Sequence, residues 1–165
     1  MKTTYRLLFL LLIPVLFYSC AAPYAVATNV KLKDDWTITS TEVTGDLAGA
    51  QITTPVFEDA TLQCLNGSKW SFFEGGAGNY TIKSADTTAC LKGNRKITWE
   101  VIELQKKSHF LQFYRVNAPK GILTDRFTLY IAEITTLTKN SMVLKYPVKI
   151  NEVTGSIVLT FTKGK

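Results

Sequence analysis

The chain of 165 residues is 46% hydrophobic and 19% charged, which predicts a single folded domain and excludes intrinsic disorder. Its ten glycines and five prolines follow no period, so collagen-like and low-complexity chains are excluded as well. The formal net charge of +6 comes from dispersed lysines rather than from a basic stripe, so nucleic acid is not an expected partner.

The amino-terminal segment has the pattern of an export signal. Lys2 and Arg6 precede an uninterrupted apolar stretch at residues 7–17. As a helix, these eleven residues would rise only about 16 Å, whereas the hydrocarbon core of a bilayer is about 30 Å thick. Residues 1–19 are therefore predicted to be a signal peptide and not a membrane span.

Cys20 is the expected site of lipid attachment. Residues 17–20, Phe-Tyr-Ser-Cys, resemble a bacterial lipobox, in which the cysteine receives acyl chains such as palmitate and becomes the first residue of the mature protein. Residues 20–30 would then be a lipidated tether and residues 31–165 the folded domain. Residues 21–29 contain no acidic residue, unlike known surface-export tethers, which favours the periplasmic face of the outer membrane. The alternative is cleavage after Ala27, at the sequence Ala-Val-Ala, which would release a soluble secreted protein.

The other two cysteines are predicted to form a disulfide. Cys64 and Cys90 are an even pair in an oxidising compartment once Cys20 carries lipid. A metal or redox pair is disfavoured because Cys-x-x-Cys spacing is lacking and the single histidine, His109, lies far along the chain. No metal ion or other cofactor is expected.

The rest of the chain shows the two-residue periodicity of β-strands. Trp36, Ile38 and Ser40 alternate with threonines in the first predicted strand. Residues 47–56 form a weaker strand-like segment, and residues 57–62 fit either a short helix or a loop. Further strands are predicted at residues 69–73, 79–83, 96–105, 110–116, 126–134, 142–150 and 156–163.

Short turns join these segments. The glycines within residues 74–78 permit positive φ and predict a hairpin, and residues 151–155 turn the chain between the last two strands. Short strands without a long amphipathic helix predict an all-β barrel or sandwich. Closure removes exposed strand edges, so we expect an antiparallel up-and-down β-barrel of about eight strands.

Bulky apolar residues on both faces of 110–114 indicate an outer face covered by a partner, a loop or the membrane.

The order of the motifs resembles the lipocalin-like lipoproteins of Bacteroidetes. The resembling motifs are the lipobox at Cys20, Asp-Asp-Trp-Thr-Ile at 34–38, Cys-Leu-Asn at 64–66 leading to Trp-Ser-Phe at 70–72, the glycine-rich hairpin, Trp-Glu-Val at 99–101, and Ile-Thr-Thr-Leu-Thr at 134–138 leading to Met-Val-Leu at 142–144. The resemblance covers most of the mature chain and implies a calycin-type barrel that binds a small hydrophobic ligand. The triplet Asp86-Thr87-Thr88 resembles the O-glycosylation acceptor of the same phylum, which makes Thr87 a candidate modification site.

No enzymatic activity is predicted. The chain lacks a Gly-x-Ser-x-Gly nucleophile elbow, and a catalytic triad would have to use His109, which is expected at the surface. Glu100 and Glu103 fall on opposite faces of their strand, so they cannot act as a glycosidase pair.

The candidate ligand-lining residues are aromatic side chains on the predicted strands. They are Trp36, Trp70, Phe72, Trp99, Phe113 and Tyr130. An eight-stranded barrel either fills itself with side chains or holds one small ligand, so two functions remain open. One is binding of a small hydrophobic ligand by a membrane-anchored barrel; the other is an interaction module that scaffolds an envelope protein complex through its outer surface.

Overall fold

The computed structural model describes residues 32–83, 90–104, 108–116 and 128–164. Eight antiparallel strands form a closed barrel in which consecutive strands are neighbours and the last strand pairs with the first. The predicted all-β, up-and-down barrel is therefore confirmed. The strands are β1 (Asp34–Gly45), β2 (Lys69–Phe72), β3 (Ala77–Ile82), β4 (Gly93–Leu104), β5 (Ser108–Arg115), β6 (Tyr130–Leu137), β7 (Ser141–Ile150) and β8 (Val153–Lys163).

The β7–β8 hairpin shows how alternation and turn geometry set the register. Ile157 and Phe161 of β8 point inward and are at most 1% exposed. Asn151 and Glu152 connect the strands in a two-residue turn with φ of 47° and 67°. Positive φ at both turn residues matches the right-handed twist of the flanking strands. The turn is thus shorter than predicted, and β8 begins before residue 156.

The β2–β3 hairpin is confirmed, with a single 3-10 turn at Glu74–Gly76. Gly75 and Gly76 have φ of 78° and 82°, a region that only glycine enters without strain. A Cβ at Gly76 would also lie 2.9 Å from the carbonyl oxygen of Trp99. Both glycines are therefore required by backbone conformation, and Gly76 also by its close approach to β4.

The connection between β1 and β2 differs from the prediction. Residues 46–49 form a turn and residues 50–55 have no regular secondary structure, so the strand-like segment predicted at 47–56 is wrong. Gly49 has φ of 80°, and Pro55 has no amide hydrogen for a sheet ladder. Residues 57–59 form a turn, and the single helical turn α1 (Leu62–Leu65) follows. β6 also begins later than predicted, and residues 126 and 127 lie outside the described ranges.

The two ends of the barrel are built differently. We call the end where β1 begins and β8 ends the base, and the opposite end the mouth. The base is covered by Leu32, which is fully buried and whose carbonyl accepts a hydrogen bond from the Trp36 indole nitrogen at 2.9 Å. The mouth is covered by residues 51–60 of the β1–β2 connection, which we call the mouth segment. The described chain therefore begins at the end opposite the mouth.

The predicted disulfide is confirmed. Cys64 in α1 is bonded to Cys90, which precedes β4, with 5.5 Å between their Cα atoms. Both residues are buried. The bond ties the end of the β1–β2 connection to the chain that enters β4.

Candidate functional site at the barrel mouth

All six aromatic residues predicted to line a cavity are at most 5% exposed. They form packed contacts inside the barrel: the ring centroids of Phe72 and Trp99 lie 5.1 Å apart, and those of Phe113 and Tyr130 lie 5.3 Å apart. The ring of Tyr80, which was not predicted, stacks on Trp70 at 4.4 Å. Aromatic packing of this kind adds stabilisation beyond the buried area. These side chains are thus part of the barrel core.

Five of the six predicted residues form one connected group of rings inside the barrel, but they do not surround one cavity. Trp36 lies at the base, where its indole nitrogen donates a hydrogen bond to the carbonyl of Leu32. The indole nitrogen of Trp99 donates to the carbonyl of Ala77 at 2.7 Å. Of the six, Tyr130 lines the cavity at the mouth. A ligand at the mouth would therefore touch residues that the strand pattern did not single out.

Phe57 is the central residue that sequence reasoning missed. It is 3% exposed, and its ring packs edge-on against four other aromatic rings with centroids 5.0–6.1 Å away. Its partners are Trp70, Phe113, Tyr130 and Tyr146. The ring therefore plugs the barrel from the mouth side. The only hint in the sequence is the apolar pair Val56-Phe57 between a proline and two acidic residues.

The backbone of the mouth segment is turned inward at this point. Val56 and Ala60 form an isolated antiparallel bridge, and Phe57 and Glu58 between them have φ of 55° and 52°. Two successive non-glycine residues in the left-handed region store strain of about 1–3 kcal/mol each, and such strain is concentrated at functional sites. The Tyr130 hydroxyl donates to the Phe57 carbonyl at 2.8 Å and holds the turn in place.

Asp59 fastens the mouth segment to the barrel wall. Its carboxylate, 9% exposed, accepts hydrogen bonds from the Tyr80 hydroxyl at 2.8 Å and from Arg95 Nε at 2.9 Å, and Arg115 Nη1 lies 3.3 Å away. The side chains come from β3, β4 and β5, whose ends meet at the mouth. Arg115 Nη2 also donates to the Glu58 carbonyl at 3.2 Å. Burial raises the pKa of Tyr80 far above its usual range, and the negative charge of Asp59 raises it further.

A cavity of about 280 Å³ lies at the mouth between this segment and β7. Polar and apolar groups contribute about equally to its walls. The polar part includes Glu58 and Lys149, and the apolar part includes Ile52, Val148 and Ile157, with the rings of Phe57, Tyr130 and Tyr146 beside them. The Thr128 hydroxyl donates to the Glu58 carboxylate at 3.2–3.3 Å. Burial raises the pKa of both Tyr130 and Tyr146, and the negative charge of Glu58 raises it further.

A second, larger depression of about 660 Å³ lies on the outer face of β4 and β5. We call it the outer groove. Thr98 and Gln112 form part of its floor, while Phe73 and Leu129, which are 49% and 48% exposed, form part of its sides. Lys33 and Glu74 form an ion pair at its edge, at 2.6 Å. The bond to Lys33 lowers the pKa of Glu74.

The remaining predicted sites lie elsewhere. Cys20 and Thr87 are outside the described residues. His109 is half-buried on β5 opposite Glu103, not fully exposed as expected. Among the described residues, no group of three or more His, Cys, Asp or Glu side chains is placed to hold a metal ion. Within the same ranges, no helix is long and apolar enough to cross a bilayer.

No protein-family model and no curated protein matches the chain. The fold itself is shown by the closed eight-stranded barrel. Kinship with the lipocalin-like lipoproteins rests on the sequence motifs and is therefore a proposal.

Proposed function

We propose that this chain is a lipocalin-like lipoprotein of the cell envelope that binds a small hydrophobic ligand at the barrel mouth and catalyses no reaction. The mouth cavity is the observation that carries the proposal. It combines apolar and polar surface in about equal parts, which suits a small ligand that has both an apolar body and a polar group. Ile52, Val148 and Ile157 supply apolar surface, and hydroxyl and carboxylate groups lie beside them.

The dimensions of the cavity favour a small ligand. Its volume of about 280 Å³ lies just below the range of roughly 300–1,000 Å³ found for drug-sized ligands. The Phe57 ring forms the inner wall, so the ligand would lie outside the aromatic core and not in the centre of the barrel. A larger ligand would require the mouth segment to move outward.

Tryptophan fluorescence and native mass spectrometry test this proposal. The Trp70 ring lies 6.1 Å from Phe57, so a ligand that shifts the plug should change its emission. A panel of short alkyl and aryl compounds with neutral and charged polar groups should yield at least one 1:1 complex. Ile52→Trp, which fills the cavity with a larger side chain, should abolish that complex, whereas Leu129→Trp in the outer groove should not. No complex with any compound, or equal loss in both variants, would refute mouth binding.

Attachment to the membrane is a separate part of the proposal. Cys20 would carry the acyl chains, and the described chain begins at the base, which would leave the mouth at the end of the barrel away from the tether. Metabolic labelling with a palmitate analogue should mark the wild-type protein and not Cys20→Ala. The variant should move from the membrane to the soluble fraction. Protease treatment of intact cells should leave the wild-type protein intact if it lies on the periplasmic face; its removal would refute that placement.

The outer groove favours a second candidate, a module that scaffolds an envelope protein complex. Phe73 and Leu129 present apolar surface there that is about half exposed. A photo-crosslinking residue at position 73 should then capture one defined partner in cells, and that partner should bind when purified. The same residue in place of Val153, which is 40% exposed in the β7–β8 hairpin, is the control. Equal crosslinking from both positions would reject the groove as a specific surface.

A further inference from the structure

The lining of the mouth cavity includes an exposed carboxylate, Glu58, that no basic side chain of the described residues pairs with directly. Among the described residues, Glu58 forms no ion pair; its carboxylate accepts bonds from the Thr128 hydroxyl only. Lys149, the cation in the cavity lining, is paired instead with Glu152 on the neighbouring turn. The negative charge of Glu58 is therefore available to a ligand.

The two arginines near the mouth are directed to other groups. Arg95 donates Nε to Asp59 and its two terminal nitrogens to the carbonyls of Gly93 and Leu91. Arg115 directs Nη1 to Asp59 and Nη2 to the Glu58 carbonyl, not to the Glu58 carboxylate. Their positive charges thus hold the mouth segment closed, and the Glu58 side chain remains on the cavity side.

The Glu58 carboxylate and the hydroxyl groups of Tyr130 and Tyr146 line the same cavity. Burial raises the pKa of both tyrosines, and the negative charge of Glu58 adds to this effect, although Arg115 opposes it at Tyr130. The same field that disfavours a phenolate would repel the carboxylate of a bound fatty acid. It would attract a cation, and the ring of Tyr146 offers a further favourable contact for one.

We propose that the mouth binds a small apolar amine, whose ammonium group pairs with Glu58 while its hydrocarbon part lies against Ile52, Val148 and Ile157. This inference rests on the proposed function and adds the chemical class of the ligand. An ammonium group can only donate hydrogen bonds, and the Glu58 carboxylate can only accept them, so the two groups complement each other. The Thr128 hydroxyl already donates to this carboxylate, which has further acceptor positions for the ligand. The apolar chain would supply affinity, and the ion pair would supply the preference among ligands of equal length.

The test compares octylamine, octanol and octanoic acid, which share one chain and differ in charge, by calorimetry in an amine-free buffer at pH 7. Glu58 is exposed, and exposed ion pairs contribute about 0.2–1 kcal/mol, so octylamine should bind up to about fivefold more tightly than octanol. Octanoate should bind most weakly of the three.

Glu58→Gln is the decisive variant. It should lower octylamine affinity by up to about fivefold, so that the preference over octanol is lost, and leave octanol affinity unchanged, because only the ion pair is removed. Glu42→Gln, the same change at an exposed position of β1, should leave octylamine affinity unchanged. Binding of octanoate as tight as that of octylamine, or no effect of Glu58→Gln, would overturn the amine preference while leaving mouth binding intact. Failure of all three compounds to bind would overturn both.

Discussion

Removing the Phe57 ring tests whether the mouth segment plugs the barrel as described. Phe57 is 3% exposed and touches four aromatic rings, so Phe57→Ala deletes a large buried side chain. Such changes in protein cores cost about 3–5 kcal/mol. Because the space adjoins the mouth cavity, water can enter it, and we expect a loss near the lower value, about 3 kcal/mol.

The backbone conformation allows a sharper comparison between alanine and glycine. At an ordinary site glycine is less stable than alanine by about 0.5–1 kcal/mol. At φ of 55°, however, alanine carries the left-handed penalty of about 1–2 kcal/mol, and glycine does not. Phe57→Gly should therefore be more stable than Phe57→Ala by about 0.5–1 kcal/mol, the reverse of the usual order.

Urea denaturation with the disulfide intact measures both differences. With a slope of about 1–3 kcal/mol per molar urea, a loss of 3 kcal/mol shifts the midpoint by about 1 M or more. Both variants should also bind ligands longer than octylamine more tightly, since the cavity is enlarged. A loss below about 1 kcal/mol for Phe57→Ala would refute the packing described for the ring. A glycine variant less stable than the alanine variant would refute the left-handed conformation.

Three further predictions concern the supports of the mouth. Replacing Cys64 and Cys90 by alanine should lower the free energy of unfolding by roughly 3–4 kcal/mol, as measured by urea denaturation. The two cysteines are 26 positions apart, and without the disulfide the unfolded chain between them is no longer constrained as a loop. Asp59→Asn should cost about 2–4 kcal/mol in the same assay, because it leaves two largely buried guanidinium groups without their counter-ion; a cost no larger than that of Glu42→Gln would contradict this role. The raised pKa of Tyr80 predicts full stability below pH 10 and a loss above it of up to about 1.4 kcal/mol per pH unit, since the unfolded chain ionises there and the folded one does not. Tyr80→Phe should reduce this alkaline slope and leave the smaller part that comes from Tyr130 and Tyr146, whose pKa values are also raised; an unchanged slope would show that Tyr80 does not contribute.

Part of the site was accessible from the sequence. The inward positions of Trp70 and Tyr130 follow from strand alternation, which places every second side chain on the same face. The pairing of Cys64 with Cys90 was predicted from the number of cysteines and the expected oxidising compartment, and the disulfide is present. The position of Phe57 did not follow, because the loop has no period and its conformation depends on contacts with strands far along the chain.

The amino-acid sequence by itself determined the strand content, the antiparallel connections and the disulfide, because alternation, glycine turns and cysteine number are local properties of the chain. Only the tertiary structure decided that the barrel is plugged by Phe57, that Asp59 meets Arg95 and Arg115, and that Glu58 lies at a cavity without an ionic partner among the described residues. Such contacts join residues that are distant in the sequence: Asp59 and Arg95 are 36 positions apart, and Phe57 and Tyr130 are 73 positions apart. They form only when barrel closure brings the strand ends to one rim, and no local pattern encodes which side chains will meet there.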